Sequence, residues 1–234
     1  MSIVEKALNH SKKIGIDECE IVVVKKKITT VRITDSEIAE IKQNFDESYG
    51  IRIIHQKKIA SSQSTDNQNI NKNIENIFDT ISNLKPREFW EELPYKARLK
   101  KLDGTFDEKL KNISGSNAMD IAQDMINSTI NNKVSTITGS LNIVSEDVQL
   151  SNSNGLELAD ESTYITGIIN AESEFGNIPV SGIGHASGRT LLNFSAERIG
   201  KDAKNMCIKA INPQKIDSGK YSIIFEPYSV GELL

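Results

Sequence analysis

The spacing of hydrophobic positions changes within the first residues of the chain. Between residues 3 and 14, apolar side chains recur every three or four positions, which predicts an amphipathic helix. Ser2 and Glu5 stand where a capping box would begin that helix. Residues 19–34 are instead rich in β-branched side chains and predict two strands, with the lysines at 25–27 as the solvated turn between them.

Three further patterns follow between residues 37 and 84. The segment 37–45 alternates charged residues with isoleucine, which fits either a third strand or a short helix. Residues 49–65 predict a β-hairpin with a polar turn at Gln56 and Lys57. Residues 66–84 carry apolar side chains at helical spacing. Together these elements predict an N-terminal α+β domain at residues 1–84.

Residues 85–115 differ in character and are predicted to be a connector. The stretch contains two prolines and the only tryptophan of the chain. We expect it to pack through Phe89, Trp90 and Tyr95. Basic residues interleaved with aromatic ones can bind single-stranded nucleic acid, but the acidic residues mixed among them here argue against that interpretation.

A second α+β block is predicted at residues 116–212, beginning with an amphipathic helix whose expected N-cap is Ser116. Residues 136–175 are predicted to be mostly strand. Asn154-Gly155 is the strongest turn signal of the chain, because both residues tolerate the positive φ angles of a two-residue type I′ turn. We therefore expect residues 141–150 to pair with residues 156–158.

The second block closes with a glycine-rich stretch and a helix. Residues 176–190 are predicted to be a loop and residues 193–211 a helix. The loop lacks the residue order of a P-loop and does not lead from a strand into a helix as a dinucleotide-binding turn does. Its glycines supply mobility, or room for another backbone to approach closely. A flexible loop beside an antiparallel sheet would suit the cover of a peptide groove, and the competing interpretation is an ordinary surface loop.

The expected fold class is therefore α+β, with two α+β blocks, antiparallel sheets and flanking helices. In residues 213–234 we expect a buried strand at 221–225 and a helix beginning at Pro227. That final helix has no cap, no basic last turn and no polar tail. We expect the sequence to be the front part of a longer protein; the alternative is a short terminal helix docked on the core.

Composition and charge narrow the classes of function. The net charge is −4 at pH 7 without a basic stripe, which argues against a dedicated nucleic-acid-binding protein. No stretch approaches the ~20 apolar residues of a membrane span, and the N-terminus lacks the pattern of a signal peptide. We therefore expect a cytoplasmic location and no membrane partner. Cys19 and Cys207 do not form a metal-binding or disulfide pattern and are expected to be buried as small hydrophobic residues.

The sequence predicts no catalytic residue and no metal ligand within residues 1–234. The three histidines, His10, His55 and His185, share no metal-binding spacing. Catalytic zinc usually needs three protein ligands that converge on one point. The carboxylates form no pair that stands out, and no G-x-S-x-G nucleophile motif is present.

Three stretches, taken in order, resemble one protein family. They are YGIRIIHQKKIASSQSTD at 49–66, VQLSNSNGLELADESTYITGIINAES at 148–173, and AERIGKDAKNMCIKAINPQKIDSGKYSIIFEP at 196–227. Together they resemble the TldD/PmbA family, also called modulators of DNA gyrase, over nearly the whole chain. The chain departs from the family in the first hairpin, where members often have an Asp-Gly-type turn and this sequence has His55-Gln56-Lys57-Lys58.

The resemblance implies a protein about twice as long, in which residues 213–234 are the start of a β-rich C-terminal domain. It implies a dimer of like or unlike family subunits as well. It also implies a zinc metallopeptidase that acts on peptides or unfolded segments, in which one subunit carries an H-E-x-x-x-H-type motif and the PmbA-like subunit lacks it. On this view the present region serves dimerisation and substrate channelling. It holds no cofactor, and zinc is expected in the full-length protein or in its partner subunit. The sequence FEPYSVGELL is more similar to the PmbA (TldE)-like branch than to the zinc-bearing branch.

The alternative is a non-catalytic partner subunit or a peptide-binding scaffold without the zinc motif. A third interpretation, a DNA- or gyrase-associated protein, comes from the family's older name, and the low net charge argues against it. An extended peptide substrate would add as a strand to a sheet edge, and the predicted groove lies at residues 141–151 and 176–190. The candidate substrate-binding residues are Asn152, Asn154, Gly155, Gly182, Gly184 and His185.

Overall fold

The computed structural model describes residues 2–66, 68–97, 100 and 102–234. Residues 98, 99 and 101 of the predicted connector therefore lie outside the described residues. The strands are β1 (Glu18–Thr34), β2 (Glu37–His55), β3 (Lys58–Ser64), β4 (Thr136–Asn152), β5 (Glu157–Ser173) and β6 (Val180–Gly188). The helices are α1 (Ile3–Lys13), α2 (Ile70–Ile81), α3 (Glu108–Lys111), α4 (Gly115–Thr129), α5 (Ala196–Ala210) and α6 (Pro227–Leu233), with a 3-10 turn at Leu191–Asn193.

The six strands form one antiparallel sheet in the order β3-β2-β1-β4-β5-β6. This arrangement confirms the α+β class. The strands of the two predicted blocks are continuous with each other, because β1 pairs along its length with β2 on one side and with β4 on the other. The division of the chain into domains at 1–84, 85–115, 116–212 and 213–234 stays a prediction.

The lysines at 25–27 lie inside β1, so the turn predicted there is wrong. Each lysine has a polar partner that lets the strand continue. Lys25 Nζ lies 3.3 Å from Glu47 Oε1 on β2, and Lys26 Nζ lies 2.6 Å from Glu146 Oε2 on β4. Lys27 Nζ donates a hydrogen bond to the backbone carbonyl of Lys111. Cross-strand pairs of opposite charge stabilise a sheet, so a lysine run does not end this strand.

The first hairpin turns later, at Asp35 and Ser36, where both residues have positive φ angles of 51° and 66°. The undecided segment 37–45 is therefore a strand, the first half of β2. The predicted turn at Gln56 and Lys57 is confirmed, with φ angles of 51° and 59°. Two consecutive positive φ angles match the right-handed twist of the flanking strands.

Two hydrophobic cores lie on the same face of the sheet. Successive side chains of a strand alternate between the two faces. The side chains that β1 contributes to both cores are all at odd positions, so they point to one face. The first core is formed by α1 and α2 on the strand ends near Cys19, Ile21 and Ile53. The second core is formed by α4 and α5 on the other end of the sheet. Its largest buried members include Ile33, Leu110, Met125, Ile126 and Leu141.

The helices begin close to the predicted positions. Ser2 and Glu5 form the predicted capping box of α1, with both hydrogen bonds present. The helix predicted at 66–84 is shorter and spans Ile70–Ile81. The N-cap of α4 is Ser114 and not the predicted Ser116, because the hydroxyl of Ser114 accepts the hydrogen bond from Asn117 N.

Two predicted elements differ at the end of the second block. The glycine-rich stretch 176–190 contains strand β6, so the prediction of a loop is wrong for most of it. The predicted strand at 221–225 is not formed, and its side chains are exposed, Ile224 almost completely. Helix α6 follows from Pro227 as predicted. None of the described helices is long and apolar enough to cross a membrane.

The buried thiol of Cys19 gives the first core a measurable pH dependence. Burial raises the pKa of this thiol from 9.0 to about 11. The neutral thiol is thus favoured in the folded chain, and its stabilising contribution is complete below pH 9 and is lost as the pH rises towards about 11. We expect the free energy of unfolding to fall by on the order of 2 kcal/mol more in the wild type than in Cys19→Ala between pH 8 and pH 11. Urea unfolding of both chains at the two pH values measures this difference, and equal losses would contradict it.

Candidate functional site

The predicted substrate-binding residues lie in two groups at opposite ends of the sheet. Asn152, Asn154 and Gly155 lie in and just before the turn between β4 and β5, whereas Gly182, Gly184 and His185 lie on β6. His185 is opposite Ile168 of β5, twelve residues along that strand from the turn. At ~3.3 Å per residue the two groups are roughly 40 Å apart. The structure therefore does not bring the six residues together.

The first group forms the turn of the β4–β5 hairpin and binds the connector. Asn152 is 3% exposed, and its side-chain Oδ1 accepts hydrogen bonds from the backbone N–H groups of Asn154 and Leu156, both at 3.0 Å. Its Nδ2 donates to the carbonyl of Pro94 at 2.8 Å. The amide of Asn152 thus closes the turn on one side and binds the connector on the other.

The β4–β5 pairing is confirmed, but the predicted turn type is wrong. Gly155 has a φ angle of 81°, whereas Asn154 does not have a positive φ angle. Gly155 N donates to the carbonyl of Asn152, and Asn152 N donates to the carbonyl of Leu156. The loop therefore spans residues 153–156 and contains one positive φ angle. It is longer than a two-residue turn because the side chain of Asn152 accepts hydrogen bonds from backbone N–H groups of the loop itself.

The connector is bound to the same end of the sheet by Glu18, which the sequence did not indicate. Its carboxylate accepts hydrogen bonds from Trp90 Nε1 at 2.9 Å and from Leu93 N at 2.6 Å. Asn154 Nδ2 donates to the carbonyl of Leu93 at 2.7 Å. The guanidinium of Arg52, paired with Glu20 at 2.7 Å, lies 5.8 Å from the centre of the Trp90 ring. The predicted packing of the connector thus holds for Trp90, whereas Phe89 and Tyr95 are exposed.

The second group contains glycines that are required by helix packing. A Cβ on Gly184 would lie 1.9 Å from the carbonyl oxygen of Ile199, and one on Gly182 would lie 2.2 Å from Cys207 N. Both close neighbours are backbone atoms of α5. The glycines therefore give room for another backbone, as the sequence suggested, and that backbone belongs to α5.

His185 points away from α5, since it neighbours Gly184 on the strand and is exposed. Its ring centre lies 4.7 Å from that of Tyr228 on α6. The histidine is thus available at the surface, beside an aromatic ring. The other part of the predicted groove, segment 141–151, offers no free strand edge to a peptide. It lies in β4, which is paired on both sides, with β1 and with β5.

A cavity of about 480 Å³ lies between the two cores, on the same face as the helices. Lys27, Phe45, Lys111 and Asp147 are among its lining residues. The carboxylate of Glu161, 2.6 Å from Lys111 Nζ, raises the pKa of that lysine above its ordinary value. Sequence reasoning missed this cavity because its residues come from four separate elements or segments. Its lysines are paired with acidic side chains or carbonyls, so its charges are largely balanced.

No group of three or more His, Cys, Asp or Glu side chains within residues 2–66, 68–97, 100 and 102–234 is arranged to bind a metal ion. Catalytic zinc usually requires three such ligands. The described residues therefore do not fit a zinc ion, and no chemical step through zinc is assigned to them.

Comparisons with known proteins relate part of this chain to one family model and nearly all of its fold to solved structures. Residues 19–85 match the family model for the PmbA/TldA metallopeptidase domain 1. This match covers α2 and the hairpins β1–β2 and β2–β3, the part of the chain that forms most of the first core. No curated protein matches the chain in a sequence search.

Solved structures with the same fold cover nearly the whole chain. A candidate modulator of a DNA gyrase from Thermotoga maritima is 18% identical with a TM-score of 0.79, and the match covers 93% of this chain and 50% of that one. A candidate modulator of DNA gyrase from Bacteroides thetaiotaomicron is 15% identical with a TM-score of 0.81, covering 94% and 52%. TldE from Thermococcus kodakarensis is 18% identical with a TM-score of 0.76, covering 88% and 47%.

The chain thus spans about half the length of the structures that it matches. At these identities the structures show the fold, while the family model shows the family relationship of residues 19–85. The resemblance to the TldD/PmbA family is confirmed: residues 19–85 match its metallopeptidase domain 1, and the chain as a whole has the fold of the modulator-of-DNA-gyrase and TldE structures.

Proposed function

We propose that this chain provides the first half of a TldD/PmbA-type metallopeptidase subunit that acts on peptides or unfolded segments in the cytoplasm. The observation that carries the proposal is the match of residues 19–85 to the PmbA/TldA metallopeptidase domain 1. The half-length coverage of the matched structures supports a larger assembly in which this region is a framework. In that assembly the region serves dimerisation with a second family subunit and guides the substrate.

The metal in this proposal lies outside the described residues. A zinc ion would polarise the scissile carbonyl and lower the pKa of a bound water molecule. The chain's own contribution is then to hold the substrate and its partner in place. The rigid attachment of the connector through Glu18 and Asn152 supports this role, because a framework needs its segments fixed relative to one another.

A second candidate function is that of a non-catalytic subunit or peptide-binding scaffold. It is favoured by the fold match to TldE and by the similarity of the final residues to the PmbA (TldE)-like branch. In this case the chain binds a peptide or a partner, and another family subunit supplies the zinc motif.

One experiment tests the proposal and separates the two candidates. The complete protein is purified alone and together with a second TldD/PmbA-family subunit, and each preparation is incubated with an unstructured peptide, with and without a chelator and subsequent zinc. Chelator-sensitive cleavage by the protein alone supports the first function, and cleavage that needs the second subunit supports the other. If neither preparation cleaves or binds the peptide, the proposed function is wrong. Sedimentation of the same preparations measures the expected dimer.

A further inference from the structure

A row of three side chains crosses the cavity of about 480 Å³ between the two cores. Phe45, Lys27 and Ser145 lie on β2, β1 and β4, and Lys27 is directly opposite each of the other two. Side chains that are directly opposite on antiparallel strands share a face and have Cβ atoms about 4.5–5.5 Å apart. An aromatic ring, an ammonium group and a hydroxyl group therefore lie side by side in this cavity.

Ser145 is a buried polar side chain that lacks a partner. It is 7% exposed, and its hydroxyl forms no hydrogen bond with the part of the chain that the structure describes. Ser145 shares its face of β4 with Leu141 and Ile143 of the second core, because alternate side chains of a strand point the same way. Buried hydroxyl groups are normally hydrogen-bonded, so this one is available to a ligand in the cavity.

Lys27 is a cation without an acidic partner. Its ammonium group has three N–H donors and gives one to the carbonyl of Lys111, at 3.2 Å. The other three lysines that line the cavity, at positions 25, 26 and 111, each form an ion pair with a glutamate. Lys27 forms none with the described residues, so its remaining donors suit an anion such as a carboxylate.

An acidic side chain lies diagonally across from Lys27. Asp147 follows Ser145 by two residues on the same face of β4, and its side chain is 39% exposed. Its Oδ1 atom accepts no hydrogen bond from the described residues and lies 3.8 Å from Lys111 Nζ, which is held closer, at 2.6 Å, by Glu161. Diagonal neighbours on antiparallel strands are about 7–8 Å apart, which leaves room for a small group between Lys27 and Asp147.

Phe45 adds an apolar surface to these charges. Its side chain is 72% exposed, although it lines the cavity and lies on the face that carries both cores. Aromatic rings gain by packing against a second ring at a centre-to-centre distance of about 4.5–7 Å. Phe45 is one strand away from Lys27, so it lies within reach of an apolar group attached close to a bound carboxylate.

We propose that this cavity binds a free α-amino acid with an apolar side chain. The carboxylate of the amino acid accepts hydrogen bonds from Lys27 Nζ and from the hydroxyl of Ser145. Its ammonium group pairs with Asp147, and its side chain packs on Phe45. A simple carboxylate would leave Asp147 without a partner, and a simple amine would leave Lys27 without one. A zwitterion has no net charge, which suits a cavity whose charges are largely balanced.

Calorimetric titration of the 234-residue chain with L-phenylalanine tests the proposal. We expect a dissociation constant below about 1 mM, which is reasonable for a ligand of this size. N-acetyl-L-phenylalanine lacks the ammonium group and L-phenylalaninamide lacks the carboxylate. Each should bind at least about tenfold more weakly, since each leaves one charged side chain of the cavity without its partner. Glycine lacks the apolar side chain and should be weaker by a similar factor.

Substitutions in the cavity assign each contact. Lys27→Met and Asp147→Asn should each weaken L-phenylalanine binding by at least about tenfold, whereas the exposed Lys72→Met on α2 is the matched control and should bind like the wild type. Lys27→Met should also bind L-phenylalanine and its amide equally, because it no longer recognises the carboxylate. Asp147→Asn should in the same way lose its preference over the N-acetyl compound. A merely structural role would not produce these two patterns.

Phe45→Ala provides a test that does not depend on folding, because the exposed ring contributes little to either core. It should weaken L-phenylalanine binding by at least about threefold. The proposal is wrong if L-phenylalanine shows no saturable binding up to about 10 mM, or if Phe45→Ala binds it like the wild type. Equal binding of the N-acetyl compound or of the amide by the wild type would also overturn it, since only one charge would then be recognised. Because the readout is binding, failure of the proposed peptide cleavage does not affect this test.

Discussion

Gly184→Ala is expected to destabilise the chain by about 3 kcal/mol or more, because a new Cβ would lie 1.9 Å from Ile199 O and 2.7 Å from Ala203 N. Both neighbours are backbone atoms of α5, so no side chain can rotate away and the helix itself must move. That movement would open the second core, in which Ile199 and Ala203 are fully buried. Chemical denaturation monitored by circular dichroism measures the loss.

Gly231→Ala is the matched control for this substitution. Gly231 has no atom within 4 Å of the position of a new Cβ and lies in α6. Alanine is the better helix former, so the free energy of unfolding should be unchanged or slightly raised. If Gly184→Ala is as stable as Gly231→Ala, α5 does not pack on β6 as described.

Asn152→Ala is expected to cost about 2–4 kcal/mol, because it leaves the N–H groups of Asn154 and Leu156 and the carbonyl of Pro94 without their partner. Leu156 is buried, so water does not readily replace the lost acceptor. We also expect faster hydrogen exchange at residues 87–95, since the connector loses one of its attachments. Urea unfolding and hydrogen exchange together test the two roles of this side chain.

Asn76→Ala provides the comparison for Asn152→Ala. Asn76 is exposed on α2, where alanine is a favourable residue, and the change should leave stability within about 0.5 kcal/mol of the wild type. A loss at Asn152 of similar size, with unchanged exchange at residues 87–95, would show that its hydrogen bonds do not fix the connector.

The parts of the fold that the sequence predicted are those determined by neighbours in the chain. The capping box of α1 needs only Ser2 and Glu5, and the turn at Gln56 and Lys57 is a local polar break between two apolar runs. The family resemblance likewise came from local stretches. Such features depend on residues a few positions apart, which a single sequence displays directly.

The lysines of β1 show why other features could not be predicted. Lys26 is compatible with a strand because Glu146 lies beside it, 120 positions later in the chain. The same long-range pairing of β1 with β4 joins the two blocks in one sheet. No local periodicity reveals which strands will be neighbours, so the sequence predicted two blocks and not their continuity.

The candidate site was hardest to predict where glycines are involved. A strand of small residues lacks the alternating apolar pattern, and β6 was therefore predicted to be a loop. Glycine is required in β6 because the backbone of α5, which lies later in the chain, packs directly against the strand. The sequence made Asn152 and Asn154 candidate binding residues, and the structure shows their side chains bonded to the connector and the turn.

We propose that these residues form a framework for a metallopeptidase whose metal centre lies elsewhere. The most direct test is to incubate the purified 234-residue chain with zinc, remove unbound metal, and measure both bound zinc and hydrolysis of an unstructured peptide. We expect no stoichiometric zinc and no hydrolysis by this chain alone. One tightly held zinc ion per chain together with chelator-sensitive hydrolysis would contradict it.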